Sequence, residues 1–378
     1  MPAPRVTLLI DSLAAGGAQS QIVALAAGLQ ADGWPVRLAW YNDTVRFRTL
    51  PPGVETAQLP RNSRSDPRFP VALNRLMSRK NTDIVHAWLP APALYAALAG
   101  RLPGSAPVIE GVRCSASLFA TQPNQGRACL AAALLAQAVT SNSRSSLDWL
   151  AQRGVSRKKM RFVGNILAPA IAARTPSTLA EREALLARLG LDPRRPPIVA
   201  LGRFDAFKNQ DGLLRALLAL RAEGLEVPPL LLAGSQEDKA RVATVREIAV
   251  SAGFSDLHIV EPQADVATLL EAARFSVLAS RSEGTPNVVL EGLGLGTLVV
   301  ATRVGEVPDL LQDGKTGLSC APEDPEALRE VLRRALALPA PARAELGARA
   351  RADMLARFSA PAIVGQYQQV YAQVLGRG

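Results

Sequence analysis

Short apolar runs alternate with longer stretches of helical periodicity along almost the whole chain. No other feature restricts the fold as much. In the first half the runs are RVTLLI (5–10), PVRLAWY (35–41), DIVHAW (83–88), APVIEGV (106–112), QAVTSN (137–142) and MRFVG (160–164). Between them, 19–33, 66–80, 91–102 and 145–154 carry apolar residues at i, i+3 and i+4 and end near Gly. Residues 165–180 lack this periodicity and carry Pro, Ser and Thr, as a linker does. A second series then begins, with strands expected at 196–202, 228–234, 257–260, 275–280, 297–302 and 317–320. Helices are expected to start near Asn209, Glu237, Asp265, Asn287, Asp324 and Ala342, and a last one covers 360–375. Strand–helix alternation implies parallel βαβ units. The expected fold is therefore α/β, with two doubly wound domains, 1–165 and 181–357, facing a central cleft. A length of 378 residues suits that number. Ligands of such sheets bind at the carboxyl ends of strands.

Composition removes several alternatives. Aromatic residues make up only 4%, so stacking platforms for single-stranded nucleic acid are scarce. Cys114, Cys129 and Cys320 lie far apart without a CxxC, which fits a reducing compartment rather than a disulfide or zinc framework. His86 and His258 are the only histidines, too few for a multi-His metal site. The N-terminal apolar run is too short for a signal peptide, and the longest run, 128–140, falls short of the ~20 residues a membrane span needs. A soluble, cytoplasmic protein is expected. The net charge of +10 is lopsided: residues 1–170 hold 19 Lys and Arg against 8 Asp and Glu, whereas the remainder is at −1. A basic half suits an anionic surface, although charge alone is equally a solubilising device.

Three segments carry chemistry. The first is SRSEGTPNVVLE (280–291), after the expected strand 275–280. Pro286 suits the first helical position and Thr285 or Gly284 its cap, so the amides from Thr285 to Val288 would offer an anion a positive helix end. Glu283 lies in the loop and Glu291 one turn inside the helix, where both carboxylates suit sugar hydroxyls; a capping loop with a solvated Glu291 fits the same residues. The second is GRFDAFKNQ (202–210), in which Arg203 and Lys208 can reach one anion at the same sheet edge. The third is AAGGAQSQ (14–21), which is not GxGxxG. Its Gly16 and Gly17 permit close backbone approach at a helix start.

With these segments quoted, the chain resembles a family 4 glycosyltransferase of the GT-B fold, two Rossmann-like domains around a cleft. The resemblance runs nearly end to end through GGAQ, GRFDAFKNQDGLLRAL, LLLAGS and SEGTPNVVLEGLGLGTLVVATRVGEVPDLLQDGKTG. The last contains the family's E-x7-E, as Glu283 and Glu291. DIVHAW and VIEGVRCS resemble a subgroup that builds bacterial surface polysaccharides. The resemblance implies that Arg203 and Lys208 hold the donor diphosphate and that Glu291 binds the ribose. Glu283 would contact the donor sugar near the anomeric centre. The backbone of Gly284, Thr285, Pro286, Asn287 and Val288 would complete the phosphate clamp, with Gly16 and Gly17 closing from the other domain. The helix in 358–378 would pack back toward the first domain. Many relatives have a cleft histidine where this chain has Arg113, so His86 and Arg113 are the candidate sugar or acceptor contacts; His86, at the end of a strand, also fits a core-edge histidine.

The implied reaction is retaining transfer of a sugar from a nucleotide-sugar donor to a glycan or lipid-linked glycan acceptor. Arg203, Lys208 and helix amides would stabilise the departing diphosphate. The sequence holds no Asp-x-Asp, so no metal site for the diphosphate and no cofactor are expected. The donor, UDP- or GDP-linked, is a substrate. A nucleotide-sugar isomerase or epimerase, or a non-catalytic basic binding protein, are the competing readings. Nucleic acid is not an expected partner. The charge split places the first half on an anionic membrane surface, the cytoplasmic face of the inner membrane, through Arg46, Arg48, Arg61, Arg64, Arg68, Arg79 and Lys80.

Overall fold

A computed structural model of the chain describes residues 2–14, 16–42, 50–63 and 66–376. It divides into two compact units, Met1–Ile166 with Phe358–Gly378, and Leu167–Arg357. The first is built on seven parallel strands: β1 (Val6–Leu9), β2 (Val36–Trp40), β3 (Glu55–Gln58), β4 (Ile84–Trp88), β5 (Val108–Val112), β6 (Ala138–Ser141) and β7 (Met160–Phe162). Their order is β3-β2-β1-β4-β5-β6-β7. In register, Leu8 of β1 faces Leu38 on one side and His86 on the other. The central strands are buried along their whole length, because helices cover both faces of a parallel sheet.

The strand without a sequence signal is β3. Its sequence, ETAQ, is polar and mostly exposed, so it joins the sheet as an edge strand through backbone bonds and one cross-strand ion pair, Arg37 to Glu55 at 2.9 Å. The apolar run 128–140 is divided between the helix Pro123–Leu135 and β6. Among the described residues no helix is long and apolar enough to cross a membrane. The last helix, Ala360–Val374, packs on the helix Gly17–Ala31 within the first unit, and its Tyr367 and Tyr371 are buried there.

The second unit holds six parallel strands: β8 (Ile198–Leu201), β9 (Leu230–Ala233), β10 (Leu257–Val260), β11 (Phe275–Leu278), β12 (Val299–Thr302) and β13 (Leu318–Cys320). Their order is β10-β9-β8-β11-β12-β13. Residues 167–180, expected to be linker, are part of this unit. Arg174 pairs with Glu271 at 3.2 Å, and Glu271 also accepts from the Ser177 amide. Thr178 and Glu181 close a capping box on the helix Leu179–Arg188. The order of strand addition reverses between the parallel neighbours β8 and β11, so the loops after these two strands leave from neighbouring positions at the switch point.

Candidate functional site

Those two loops are bonded into one structure. After β8, Asp205 Oδ1 accepts the amides of Phe207 and Lys208, each at 3.0 Å, which curls residues 205–208. Asn209 takes the left-handed conformation (φ 54°) and donates through its side chain to the Ala279 carbonyl at 3.2 Å. The Arg281 amide donates to Phe207 O at 2.7 Å. Gly234, at the end of β9, has no room for a side chain: a Cβ there would lie 1.9 Å from Gly202 O.

Lys208 and Glu283 meet across the two loops, with Nζ 2.7 Å from Oε1. Both side chains are largely enclosed, and Ser280 Oγ donates to the same carboxylate oxygen at 2.7 Å. Arg203 is different. Its side chain is 77% exposed and makes only a 3.4 Å contact with Asp205, so it is free to turn toward a ligand.

Glu283 leads into the helix Asn287–Leu295, a position fixed from behind. Gly305 has φ 52°, a Cβ on it would lie 2.2 Å from Gly284 O, and the Glu306 amide donates to that oxygen at 2.9 Å. Pro286 is the N-cap and not the first helical residue, so neither Thr285 nor Gly284 caps the helix. Proline has no N–H to place inside the first turn, and its extended conformation (ψ 115°) hands over to Asn287. No side chain caps this N-terminus. Val288 is half-buried and Thr285 is buried.

Glu291 lies one turn in. It is half-buried, not solvated, and has no hydrogen-bond or ionic partner among the described residues. Burial alone pushes its pKa up to about 7. A carboxylate removed from water with nothing bonded to it is costly to keep unless a ligand supplies donors.

Gly16, Gly17, His86 and Arg113 belong to the first unit, whereas the other candidates belong to the second. Gly16 is the extended N-cap of the helix Gly17–Ala31, and both glycines are exposed. His86 is not available to a sugar. It is fully buried in β4, with Nδ1 2.8 Å from Tyr371 Oη and Nε2 2.9 Å from Thr140 Oγ1. Trp88 Nε1 donates to Nε2 at 3.0 Å, which leaves the proton on Nδ1. Burial, and then the Arg113 charge, lower its pKa well below the usual range. Arg113 follows β5 and is only partly buried. Ser280, Asp205, Gly234 and Gly305 escaped sequence reasoning. Only their positions directly after strands or beside candidate residues could have signalled them.

Two family models match the chain. Residues 15–169 match the one described as Glycosyltransferase Family 4, and residues 195–337 the one described as Glycosyl transferases group 1. A D-inositol 3-phosphate glycosyltransferase of Thermobifida fusca is 33% identical over 44% of this chain, a match that spans only 39% of that relative's length. An N-acetyl-alpha-D-glucosaminyl L-malate synthase of Bacillus anthracis is 24% identical over 82% of this chain and 80% of its own. Among solved structures, Anabaena HepE in complex with UDP and glucose superposes with a TM-score of 0.82 at 18% identity, covering 98% of this chain and 100% of that one. Sucrose-phosphate synthase from Thermosynechococcus elongatus gives 0.79 at 22%, covering 99% and 100%. These likenesses establish the GT-B fold for the two sheets. With one model matching each half, the chain belongs to the family 4, group 1 glycosyltransferases.

Proposed function

We propose that the protein transfers a sugar, with retention, from a nucleotide-sugar donor to a glycan or lipid-linked glycan acceptor in cell-surface polysaccharide synthesis. The observation that carries this reading is the partnerless Glu291 on the helix that Glu283 leads into, because ribose hydroxyls are the donors such a carboxylate lacks. Without ligand, Lys208 and Glu283 neutralise each other. A donor diphosphate would draw Lys208 away and leave Glu283 to the sugar hydroxyls, while Arg203 swings onto the phosphates as a fork. Departure of the nucleoside diphosphate builds negative charge, and Lys208, Arg203 and the uncapped helix end are the groups suited to receive it. These cations would take the place of a metal. The relatives' names, with inositol 3-phosphate and L-malate, leave the acceptor open. A thermal-shift panel of UDP-, GDP- and ADP-linked sugars tests the reading. A donor at about 100 times its Kd adds ~2.7 kcal/mol of stability, and no response to any of them would sink it.

We assign the same protein to an anionic membrane surface through the basic first unit. Of the residues expected there, Arg46, Arg48 and Arg64 lie outside the described residues. Arg68 is held by Asp66 at 2.7 Å, and Arg61 is enclosed by Tyr41, Phe69 and Tyr95, with its guanidinium 4.7–4.9 Å from each ring centre. Arg68, Arg79 and Lys80 are the exposed cations of the described set, and of these Arg79 and Lys80 have no ion-pair partner among the described residues.

A further inference from the structure

Among the described residues nothing in its unit balances the charge of Arg113. Its guanidinium stacks 4.3 Å from the centre of the Trp88 ring. Nη1 donates to Tyr367 Oη at 3.1 Å, and Nη2 donates to Asn165 Oδ1, an oxygen that also accepts from Asn142 Nδ2 at 3.0 Å. Nε is shut off from water and has no partner. Among the described residues no carboxylate pairs with this side chain. Glu110, three positions earlier, is buried in β5, and burial pushes its pKa up to about 8, so it is uncharged at neutral pH.

Among the described residues Arg61, enclosed by three rings and bonded to Tyr95 Oη, also lacks an acid, but the enclosed arginines of the second unit are balanced. Arg174 has Glu271. Arg274, Arg343 and Arg351 lack acids, but they donate to Leu336 O, Leu338 O and Gly294 O. Those carbonyls end the helices Pro325–Ala337 and Asn287–Leu295, where the negative end of the helix dipole offsets a cation. Arg113 has a phenol, an amide and an indole face instead. Enclosing a cation without a counter-charge is expensive, and bridging Tyr367 to Asn165 needs only a neutral donor. The charge exceeds what the packing uses.

We infer that Arg113 is the seat of an anionic group on the acceptor, a phosphate ester or a carboxylate taken at the carboxyl edge of the first sheet. This rests on the proposed transfer to an acceptor, with Arg113 as one of its contacts. The guanidinium, its face on Trp88, has one N–H left on each of Nη1 and Nη2 for two anionic oxygens.

The test keeps the full chain and uses inorganic phosphate and acetate as probes. Arg203→Ala/Lys208→Ala serves as the background, because it removes the second unit's cations. In that background, calorimetric titration should show phosphate or acetate binding that Arg113→Gln weakens at least tenfold and Arg113→Lys weakens less. The probe bound more tightly identifies the class. Equal affinity with and without Arg113→Gln, or no binding of either anion, overturns the inference. Should Arg113→Gln fail to fold, phenylglyoxal labelling of the same background read by mass spectrometry replaces it. The bound anion should slow labelling of Arg113 but not of exposed Arg194. An Arg113 that the anion does not protect, or that never reacts, overturns the inference equally. Anion binding through Arg113 beside a blank nucleotide-sugar panel would remove the donor reading alone, and the converse result would remove this one alone.

Discussion

Glu291→Gln separates a carboxylate that waits for a ribose from one that is merely buried. The wild-type side chain titrates at about 7, so roughly a tenth of it is ionised at pH 6 and nine tenths at pH 8. If hydroxyls donate to the ionised form, nucleoside affinity should rise about tenfold over that interval, ~1.4 kcal/mol. The amide variant cannot titrate. It should bind ~1–2 kcal/mol more weakly than wild type at pH 8, the difference between charged and neutral hydrogen bonds, and should converge on wild type near pH 6. The assay is calorimetric titration with the free nucleoside whose base responds in the donor panel, because a nucleoside carries no phosphate to titrate in this range. The 2′-deoxy nucleoside should lose part of the slope. A wild-type affinity that is flat from pH 6 to 8, or a Glu291→Gln protein that keeps the slope, refutes the ribose assignment.

Four further outcomes are expected. Lys208→Ala should lower turnover ~10²–10³-fold, the scale for one preorganised stabiliser of developing charge, with an unchanged circular dichroism spectrum; full activity contradicts the role. Transfer should survive excess EDTA, whereas activity lost on chelation and restored by Mg²⁺ or Mn²⁺ would show that a metal serves the diphosphate. Glu110, fully enclosed, has a folded-state pKa raised from 4.5 to about 8, so its stabilising proton is present below pH 4.5 and lost as pH climbs through 8. That loss is on the order of 4–5 kcal/mol across the interval, and urea unfolding of Glu110→Gln should show a shallower decline than wild type; parallel curves would dismiss the buried-acid account. Flotation at low salt should recover the protein with anionic but not neutral vesicles, and equal recovery removes the membrane assignment.

The strands were legible where burial left its mark on the sequence. VTLL, IVHAW and VVAT read as strands because both their faces are covered. ETAQ did not, because an edge strand needs no apolar face, and its one side-chain link, Glu55 to Arg37, joins residues 18 apart. Glu283 and Lys208 stood out because they lie in the loops that follow apolar strands, and Glu291 because it sits one turn inside the helix such a loop opens. Their relations did not: the Lys208–Glu283 contact joins residues 75 apart, and no local pattern encodes it. His86 allowed two readings, a contact at a strand end or a core-edge histidine, and its partners Tyr371 and Thr140, 285 and 54 positions away, turn it inward and settle on the second. The segment 167–180 read as linker because Pro, Ser and Thr are scarce in regular structure, but here Ser177 serves as a hydrogen-bonding peg for Glu271.

The return of the last helix to the first unit has a consequence for biosynthesis. The second unit is, in effect, an insertion within the first. Synthesis supplies all of Leu167–Arg357 before Tyr367 and Tyr371, which fill the first unit's interior, have been made. Domains fold as units when their residues are available. The unit built on β1–β7 must therefore finish second, once the helix Ala360–Val374 has left the ribosome. Until then His86 and Trp88 lack the Tyr367 and Tyr371 rings that pack against them, which leaves a natural place for a chaperone to bind.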